Sequence, residues 1–467
     1  MQEELKAAID TADNDERPFL TRPSFKINQH YFAEKAIKAL SLGKIDGRLC
    51  RYALNTGCWC EITEDQLIKP IYDLISTERK NRPEYDEEIQ AVLQYSQCKA
   101  IAKFLVSMLD IPEVERSRDF VHASNTMLVF SSSGKWEPVP FSPSFHSRNA
   151  LPVSYDAQAV CHRFIYELLA SAMSPSDIDL LQQYMGQCLL GTNLSQTILM
   201  LTGTAGGGKS TLANIIEMLV GLDNSVELRT ENLNGRFEIG RALGKTLLAA
   251  KDVNGDFLST KGAQRLKALT GNDRLTAEYK NKNDVLEMFG DFNVIITANT
   301  DLVPRFNGDA DAWRRRLRII RYDRQPLPLE KRIANFDRLL IEEEGSGILN
   351  FALAGAAKLL ANHGRLTIQQ TQQDAVEQLI AGANPYEYFV RNYVVPDPDH
   401  TITSATLLFN FKQLCDQKGW PIASDRKIQC ELQEAMRKVF QASKSKTVPS
   451  SRGTSNRGYK YFRILQY

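Results

Sequence analysis

Residues 203–210 read Gly-Thr-Ala-Gly-Gly-Gly-Lys-Ser. An apolar run at 197–201 precedes this segment, and a helical pattern at 211–219 follows it. Glycines let a backbone turn tightly and bring its amide groups close to phosphate oxygens, while the amino end of the next helix attracts negative charge. The order of strand, glycine-rich loop, Lys-Ser and helix is typical of a phosphate-binding loop (P-loop), which predicts nucleotide binding.

Each residue of the loop has an expected role in that binding. Lys209 is expected to reach the phosphates, and the Ser210 hydroxyl is expected to ligate Mg²⁺. The full set of predicted nucleotide ligands is Gly203, Thr204, Ala205, Gly206, Gly207, Gly208, Lys209, Ser210 and Thr211.

The composition is that of a globular protein. The chain has 467 residues, 43% of them hydrophobic, enough for about two to four domains. Residues 1–6 lack the features of a secretion signal, and no apolar run has the length of a membrane span, so we expect a cytoplasmic protein without a membrane partner. Cys50, Cys58 and Cys60 lie close together without the spacing of a zinc site, which favours free thiols.

Helical and strand patterns predict five parts. An α/β nucleotide-binding domain follows from strand-like runs at 197–201, 246–250, 293–297 and 317–321 that alternate with helices. The tail predicts helices at 386–394, 404–418 and 425–440 and strands near 444–448 and 459–465, an arrangement typical of a winged helix. The five parts are an α+β region (1–150), a helical collar (151–193), the α/β domain (194–345), a helical connector (346–383) and the winged helix (384–467). Within the first part, hairpins are predicted at 49–62 and 125–140, and the helical pattern of the collar covers 156–190.

Three features follow the P-loop in the order that an NTPase needs. Asp252 ends a strand-like run and is the candidate Walker B carboxylate, a second Mg²⁺ ligand, although a strand-terminal Asp is also a common helix cap. Asn299 ends the apolar run 293–299 and suits a sensor residue that orients the attacking water. Residues 313–318, Trp-Arg-Arg-Arg-Leu-Arg, offer guanidinium groups that can act on the nucleotide of a neighbouring subunit.

Jointly these motifs resemble the superfamily 3 helicases of the AAA+ class, and in particular the carboxy-terminal half of the poxvirus and phage/plasmid primase-helicases. The resemblance covers about residues 125–322, and the tail has a similar layout. It implies a ring, usually a hexamer, that binds ATP and Mg²⁺ between subunits and moves single-stranded DNA through its pore. The residues that carry it are the P-loop, 234–237, 244–248, 267–273, Ala298, Asn299 and 313–320.

In such rings a hairpin ahead of the sensor strand contacts DNA through a basic tip. Here 274–279 and 285–288 are expected to pair around Lys280 and Lys282, although an ordinary exposed turn is the alternative. Aligning the Arg-Leu-Arg-Ile-Ile run suggests Arg315 and Arg316 as the arginine fingers.

The chain departs from the family in two respects. The family has paired acids at Walker B, whereas Lys251 precedes Asp252 here, so either Asp256 or Asn254 occupies the place of the water-activating residue. Residues 1–150 also lack the acidic triad or zinc motif of a primase, so a separate primase or other replication protein is an expected partner.

The tail is strongly basic, since no acidic residue follows Glu434. A winged helix would place Arg426 and Lys427 in a major groove and hold phosphates with its wing. A solvated basic surface and a protein-binding winged helix are the alternatives. The predicted DNA-binding residues are Lys280, Lys282, Arg426, Lys427, Lys444, Lys446, Arg452 and Arg457.

These features predict an ATP-dependent DNA helicase or replication initiator of a mobile element, with Lys209, Asp252, Asn299, Arg315 and Arg316 in the catalytic site. A nucleotide-regulated scaffold or loader with little unwinding activity is the second hypothesis. A P-loop kinase is the third, but it leaves the sensor, the arginine cluster and the basic tail without a role.

Overall fold

The structure of the chain is a computed structural model. It forms two compact units, divided between Tyr155 and Asp156. The finer division into five parts stays a prediction. The residues that the structure describes are 20–21, 26–45, 47–109, 119–235, 237–254, 257–259, 261–278, 285–299, 310–322, 325–326, 328, 330, 332–449 and 455–465.

The amino-terminal unit combines helices with small antiparallel sheets. The hairpins predicted at 49–62 and 125–140 are confirmed, because Arg48–Ala53 pairs with Cys58–Glu61 and Thr126–Phe130 pairs with Trp136–Val139. The helices are α1 (Gln29–Leu40), α2 (Asp65–Asn81), α3 (Asp86–Val92) and α4 (Tyr95–Met108). The sheets are β1 (Leu20–Thr21) with β2 (Lys26–Ile27); β3 (Leu42–Ile45), β4 (Arg48–Ala53) and β5 (Cys58–Glu61); and β6 (Phe120–Ala123), β7 (Thr126–Phe130) and β8 (Trp136–Val139).

A buried carboxylate joins α1 to α2. Glu78, 4% exposed, accepts hydrogen bonds from the Tyr31 hydroxyl (3.1 Å) and from Arg82 Nε (3.1 Å), and it pairs with the ammonium group of Lys35. Burial alone raises the pKa of Glu78, but the bonds and charges of these neighbours outweigh it and lower the pKa below its ordinary value. The folded unit therefore favours the ionised carboxylate.

A five-stranded parallel sheet lies at the centre of the second unit. Every residue of β11 and β14 is buried, which is typical of a parallel sheet covered by helices on both faces. The four predicted strands are confirmed to within two residues at each end, whereas the short Ser-Val-Glu strand β10 was not predicted. The strand order is β10 (Ser225–Glu227), β11 (Leu247–Ala250), β14 (Asn293–Ala298), β9 (Ile198–Gly203) and β15 (Leu317–Tyr322). This mixed α/β architecture is consistent with an NTPase-like domain.

The helix pattern predicted over 156–190 is interrupted in the structure. A π-helical segment, Phe164–Leu169, comes before α5, and α5 begins at a proline that is favoured in the first helical turn. Ser174 accepts a hydrogen bond from the Asp177 N–H (3.2 Å) and caps α5. The helices here are α5 (Pro175–Leu189), α6 (Lys209–Val220), α7 (Lys261–Thr270), α8 (Ala310–Arg316), α9 (Phe336–Ala361) and α10 (Gln370–Ala383).

Polar side chains attach α5 to the sheet. The Tyr184 hydroxyl donates to the Val294 carbonyl oxygen (2.7 Å) and accepts from the Val294 N–H (3.0 Å). Gln187 Nε2 donates to Asn293 Oδ1 (2.9 Å). These groups are buried, so breaking a pair would leave donors and acceptors without water. The bonds therefore hold α5 against β14.

Helices α5 and α9 pack closely at a glycine. A Cβ on Gly355 would lie 1.8 Å from the Gln182 carbonyl oxygen. Beside this crossing, the Lys358 ammonium group donates to Asp179 Oδ1 (2.5 Å) and Gln182 Oε1 (2.7 Å). The close approach of the two backbones excludes any side chain at position 355.

The carboxy-terminal part of this unit has its own core around Phe389, Phe411 and Leu432. The helices predicted at 404–418 and 425–440 are confirmed to the residue, and the one at 386–394 to within one residue. The sequence analysis missed β16 because its prolines are typical of loops; its pairing is irregular between Pro396 and Thr401. The helices are α11 (Pro385–Tyr393), α12 (Ser404–Lys418) and α13 (Asp425–Phe440), and the antiparallel strand order is β16 (Val394–Thr403), β18 (Ser455–Ile464) and β17 (Ser445–Pro449).

A separate antiparallel pair, β12 (Arg274–Glu278) and β13 (Val285–Phe289), precedes β14. Short 3₁₀ turns lie at Pro83–Tyr85, Pro143–Phe145, Leu222–Asn224, Thr230–Asn232, Ile239–Ala242 and Phe257–Ser259. Within the described parts of the chain, we find no helix with the length and apolar character needed to cross a membrane.

Replacing Glu78 by Gln is expected to destabilise the amino-terminal unit at pH 7 by about 1–3 kcal/mol, because Tyr31, Lys35 and Arg82 lose the buried, charged acceptor that they share. The folded-state pKa of Glu78 is lowered, so its contribution is present above the ordinary glutamate pKa and is lost as the pH falls through the folded-state pKa. Urea unfolding at pH 7 and pH 3 should show a smaller difference between wild type and variant at pH 3. Glu34→Gln, at an exposed position of α1, is the control. An equal difference at both pH values would contradict the assignment.

Gly355→Ala is expected to destabilise the second unit by about 1–3 kcal/mol, because the new Cβ would overlap the α5 backbone. The matched control is Gly382→Ala in α10, where the nearest atom to a Cβ is Trp420 Nε1 at 4.0 Å. Alanine favours a helix over glycine, so this control should be neutral or stabilising. Thermal unfolding of both variants measures the contrast, and equal midpoints would show that the crossing tolerates a methyl group.

Candidate nucleotide-binding site

The P-loop joins the carboxyl end of β9 to α6. Gly203 has a φ of 127°, a conformation that residues with a side chain disfavour. A Cβ at this position would lie 2.4 Å from the carbonyl oxygen of Tyr322, the last residue of β15. Glycine is therefore required at Gly203 both for the turn and for the contact with the neighbouring strand.

The Lys209 side chain folds back over the loop. Its ammonium group donates to the carbonyl oxygens of Gly203 (2.9 Å) and Thr204 (2.7 Å), and the residue is 3% exposed. Burial lowers the pKa of Lys209, and the negative charge of Asp252 opposes that shift. The lysine charge thus lies at the P-loop and close enough to Asp252 to interact with it.

The remaining predicted ligands lie around this lysine. Thr204, Ala205 and Gly206 are exposed, and Ser210 and Thr211 are half-buried in the first turn of α6. The Leu212 N–H makes a hydrogen bond to the Gly208 carbonyl oxygen (3.0 Å). Amides in the first turn of a helix lack acceptors within the helix and, with the helix dipole, stabilise an anion.

The structure brings Asp252 and Asn299 into direct contact. Asn299 Nδ2 donates to Asp252 Oδ1 (3.1 Å), and the Asp252 N–H donates to Thr297 Oγ1 (3.0 Å). The contact arises because β11 and β14 are parallel neighbours, with Ala250 opposite Ile296, so that the residues after both strands meet at one edge. Asp252 has a φ of 52°, which is uncommon for a residue with a side chain. The predicted Walker B acid and the predicted sensor are therefore a hydrogen-bonded pair.

Lys251 is directed towards α6. Its ammonium group pairs with Glu217 and donates to Asn214 Oδ1 (2.6 Å), and Asn214 Nδ2 donates to Asp337 Oδ2 (2.6 Å). The sequence analysis did not single out Glu217, although it is the acidic residue of an otherwise largely apolar helix. The carboxylate of Glu217 therefore neutralises the positive charge of Lys251, the residue before Asp252.

Several predicted residues lie outside the described part of the chain. They include the alternative acid Asp256, Arg452, which was predicted for the wing, and Lys280 and Lys282, which were predicted for a hairpin tip. The strands of that hairpin pair as predicted, with Arg274 opposite Phe289. Asn254, the other candidate beside Asp252, is exposed. The choice between Asn254 and Asp256 stays open.

The two predicted arginine fingers have different surroundings. Arg316 is half-buried and donates to the Ala312 carbonyl oxygen (3.2 Å). Burial lowers the pKa of Arg316, and the positive charge of Arg315 lowers it further. Arg315 is exposed, and no described residue makes a hydrogen bond or ion pair with it. Arg315 is therefore the better placed of the two to reach another molecule.

The arginines on either side are held within the chain. Arg314 binds Glu377, with Nη2 donating to Oε2 (3.1 Å) and Nε donating to Oε1, and it also pairs with Asp311. Arg318 donates to the Leu317 carbonyl oxygen (2.6 Å), and burial lowers its pKa. The sequence analysis did not single out Glu377, because nothing local links it to a residue 63 positions away.

The arginine cluster and the P-loop lie at opposite edges of the sheet. β15 begins at Leu317, which pairs with Ile198 at the amino end of β9, whereas the P-loop leaves the carboxyl end of β9 at Gly203. At ~3.3 Å per residue the two ends of β9 are about 17 Å apart. The Arg315 backbone is thus well separated from the phosphate-binding loop of its own chain.

The carboxy-terminal part presents cations without acidic partners. Arg437, Lys438 and Arg463 pair with Glu434 (2.5 Å), Glu387 (2.6 Å) and Asp397 (3.1 Å), respectively. Arg426 and Lys427 are exposed in the first turn of α13. The cations for which no ion pair with a described residue is found are Lys418, Arg426, Lys427, Lys444, Lys446, Arg457 and Lys460.

Comparison with known proteins identifies a solved structure with a similar fold. Residues 201–316, about a quarter of the chain, match a family of unknown function, DUF5906. No curated protein matches the sequence. The apo structure of the NrS-1 C-terminal region (305–718) is similar with a TM-score of 0.50 and 12% identity, over 93% of this chain and 99% of that chain. The A form apo structure of the same region gives a TM-score of 0.48 and 11% identity, over 92% and 98%. At 12% identity, the first likeness shows the fold alone.

Asn299→Ala is expected to retain nucleotide binding and to lower hydrolysis about 10²- to 10³-fold, because Asp252 loses the donor that holds its carboxylate. Lys209→Ala is expected to weaken nucleotide binding itself. Titration with a fluorescent ATP analogue and steady-state phosphate release separate the two effects. Asn232→Ala, at an exposed position, is the control; if it slows hydrolysis as much as Asn299→Ala does, the contact with Asp252 is not what distinguishes Asn299.

Proposed function

We propose that the chain is an ATP-dependent DNA helicase or replication initiator of a mobile element, of the superfamily 3 AAA+ type, that works as a ring of identical subunits, with a hexamer as the expected form. The observation that carries the proposal is the separation of the site residues. Lys209, Asp252 and Asn299 meet at one edge of the sheet, whereas Arg315, which pairs with no described residue, lies at the other.

The residues present fit a magnesium nucleotide. The Ser210 hydroxyl and the Asp252 carboxylate are the hard oxygen ligands that Mg²⁺ prefers, and glycines give phosphates access to the loop amides. Lys209 would exchange its two carbonyl acceptors for phosphate oxygens. ATP, when bound, supplies the phosphoanhydride bond whose hydrolysis drives the protein.

In this proposal the chain's own groups hold the reacting atoms in place. Asn299 fixes the Asp252 carboxylate through its amide and presents its carbonyl oxygen for a water molecule. Arg315 completes the site of the adjacent subunit and stabilises the negative charge that develops on the transferred phosphoryl group. Arg316 supports the turn from which Arg315 projects.

DNA is the proposed macromolecular partner. Lys280 and Lys282 on the hairpin tip would follow the phosphates of single-stranded DNA in the pore. The three helices and three-stranded sheet of the carboxy-terminal part support a winged helix that holds duplex DNA. Its cations that pair with no described residue, among them Lys446 on β17 and Arg457 on β18, would bind the backbone, and Arg452 would join them. A primase or another replication protein is a further proposed partner.

A nucleotide-regulated scaffold or loader is the alternative. It is favoured by the residues around Asp252, where Lys251 stands in place of an acid and is paired with Glu217, and where Asn254 is one of the two candidates for the water-activating position. In that case ATP would control assembly on DNA with little strand separation.

A mixing experiment tests the shared site. Lys209→Ala and Arg315→Ala are each expected to be inactive in ATP hydrolysis, whereas an equal mixture should recover about one quarter of wild-type activity, because in a head-to-tail ring that fraction of interfaces combines both intact residues. Arg365→Ala, at an exposed position after α9, is the control and should hydrolyse ATP by itself at the wild-type rate. Full activity of Arg315→Ala alone would contradict the proposal.

Unwinding of forked DNA by the wild type, with Lys209→Ala as the control, distinguishes the two functions. ATP-dependent assembly on DNA without strand separation would contradict the helicase proposal and support the scaffold. Turnover that responds neither to DNA nor to protein concentration would contradict both.

A further inference from the structure

A forked ion pair joins the arginine cluster to α10. The guanidinium of Arg314, in the last turn of α8, donates to both carboxylate oxygens of Glu377. Two parallel bonds fix the orientation of both groups, which a single contact would not do. Arg315 is the next residue of the same helical turn. The direction of the Arg315 side chain therefore depends on where Glu377 holds this turn.

Helix α10 is attached firmly to β15. Val376 and Ile380 belong to the same buried core as Leu317 and Ile319. Arg321 Nη2 adds a long hydrogen bond to Gln378 Oε1 (3.4 Å). A displacement of α10 therefore moves both the core contact and the carboxylate that holds Arg314.

The other end of α10 leads directly into the carboxy-terminal part. A single residue, Asn384, separates α10 from α11. Its N–H donates to the Ile380 carbonyl oxygen (3.3 Å), its Oδ1 accepts the Glu387 N–H (3.1 Å), and its Nδ2 donates to Glu387 Oε2 (3.0 Å). These bonds tie the junction to both helices, so it is not a free linker.

From Glu387 the contacts continue to α13. The Lys438 ammonium group, in the last turn of α13, donates to Glu387 Oε2 (2.6 Å), and Arg391 binds the other carboxylate oxygen. Burial raises the pKa of Glu387, but these cations outweigh it and lower the pKa. Helix α13 carries Arg426 and Lys427 at its other end. A continuous set of contacts thus runs from α13 through α11 and α10 to the residue beside Arg315.

We infer that Glu377 is a positioning residue for ATP hydrolysis, which holds Arg315 through Arg314 and couples the arginine to DNA bound by the carboxy-terminal part. The inference rests on the proposed function, because it requires Arg315 to act on a neighbouring subunit. Exposed ion pairs contribute little to stability, so the pair can be removed while the fold is kept.

Hydrolysis by Glu377→Gln tests the inference. The kcat of the assembled protein is expected to fall about tenfold, with KM for ATP changed less than about twofold, because the substrate's own subunit is intact. Stimulation of hydrolysis by forked DNA should be largely lost. Asp179→Asn, which removes the ion pair between α5 and α9, is the matched control and should leave both quantities unchanged.

A double-mutant cycle asks whether the two residues act as a pair. Arg314→Gln should lower kcat as Glu377→Gln does, and the double variant should be no slower than either single variant. Additive losses would overturn the inference. If Glu377→Gln fails to assemble in sedimentation, Arg314→Lys gives the same test, since it keeps the charge and removes the fork.

Comparison with Arg315→Ala separates this inference from the proposed function. If Arg315→Ala hydrolyses ATP normally, the proposed function fails. If Arg315→Ala is inactive while Glu377→Gln keeps wild-type kcat and DNA stimulation, the proposed function stands and the positioning role of Glu377 is overturned.

Discussion

Parallel pairing of β9, β11 and β14 is the constraint on which the candidate site depends. It brings the carboxyl ends of the three strands to one edge, so that the P-loop, Asp252 and Asn299 lie together although they are far apart in sequence. The hydrogen bond from Asn299 to Asp252 and the effect of Asp252 on Lys209 follow from that register. Burial of the three strands maintains this register, because each backbone N–H and C=O group inside the sheet must have a hydrogen-bond partner.

The same sheet excludes Arg315 from the site of its own chain, since β15 is parallel to β9 and begins at the other edge. The arginines near Arg315 differ from it in their burial and in their hydrogen-bond partners. Arg316 and Arg318 are held by carbonyl oxygens, and Arg314 is held by Glu377, which leaves Arg315 exposed. A guanidinium to which the described residues offer no acidic partner is suited to a phosphate or carboxylate of another molecule.

The carboxy-terminal part shows the same sorting of charge. Its acids neutralise cations that pack within it, such as Lys438 with Glu387. No ion pair with a described residue is found for Arg426 and Lys427 at the start of α13, Lys446 on β17, or Arg457 and Lys460 on β18. Because Asn384 is bonded to both α10 and α11, this part is connected to the sheet through folded structure. Ion pairs therefore both shape a basic surface and connect it to the arginine cluster.

The sequence by itself determined the features that need only contiguous residues: the P-loop, four strands of the sheet and the exact limits of α12 and α13, whose periodicity is local. It missed β10, which is too short to show a period, and β16, whose prolines conceal it. Only the tertiary structure decided that Asn299 contacts Asp252, 47 positions away, and that Glu377 holds Arg314, 63 positions away. Strand order and helix packing select those partners, and a side chain's burial and charge neighbours are set by residues that no local pattern contains.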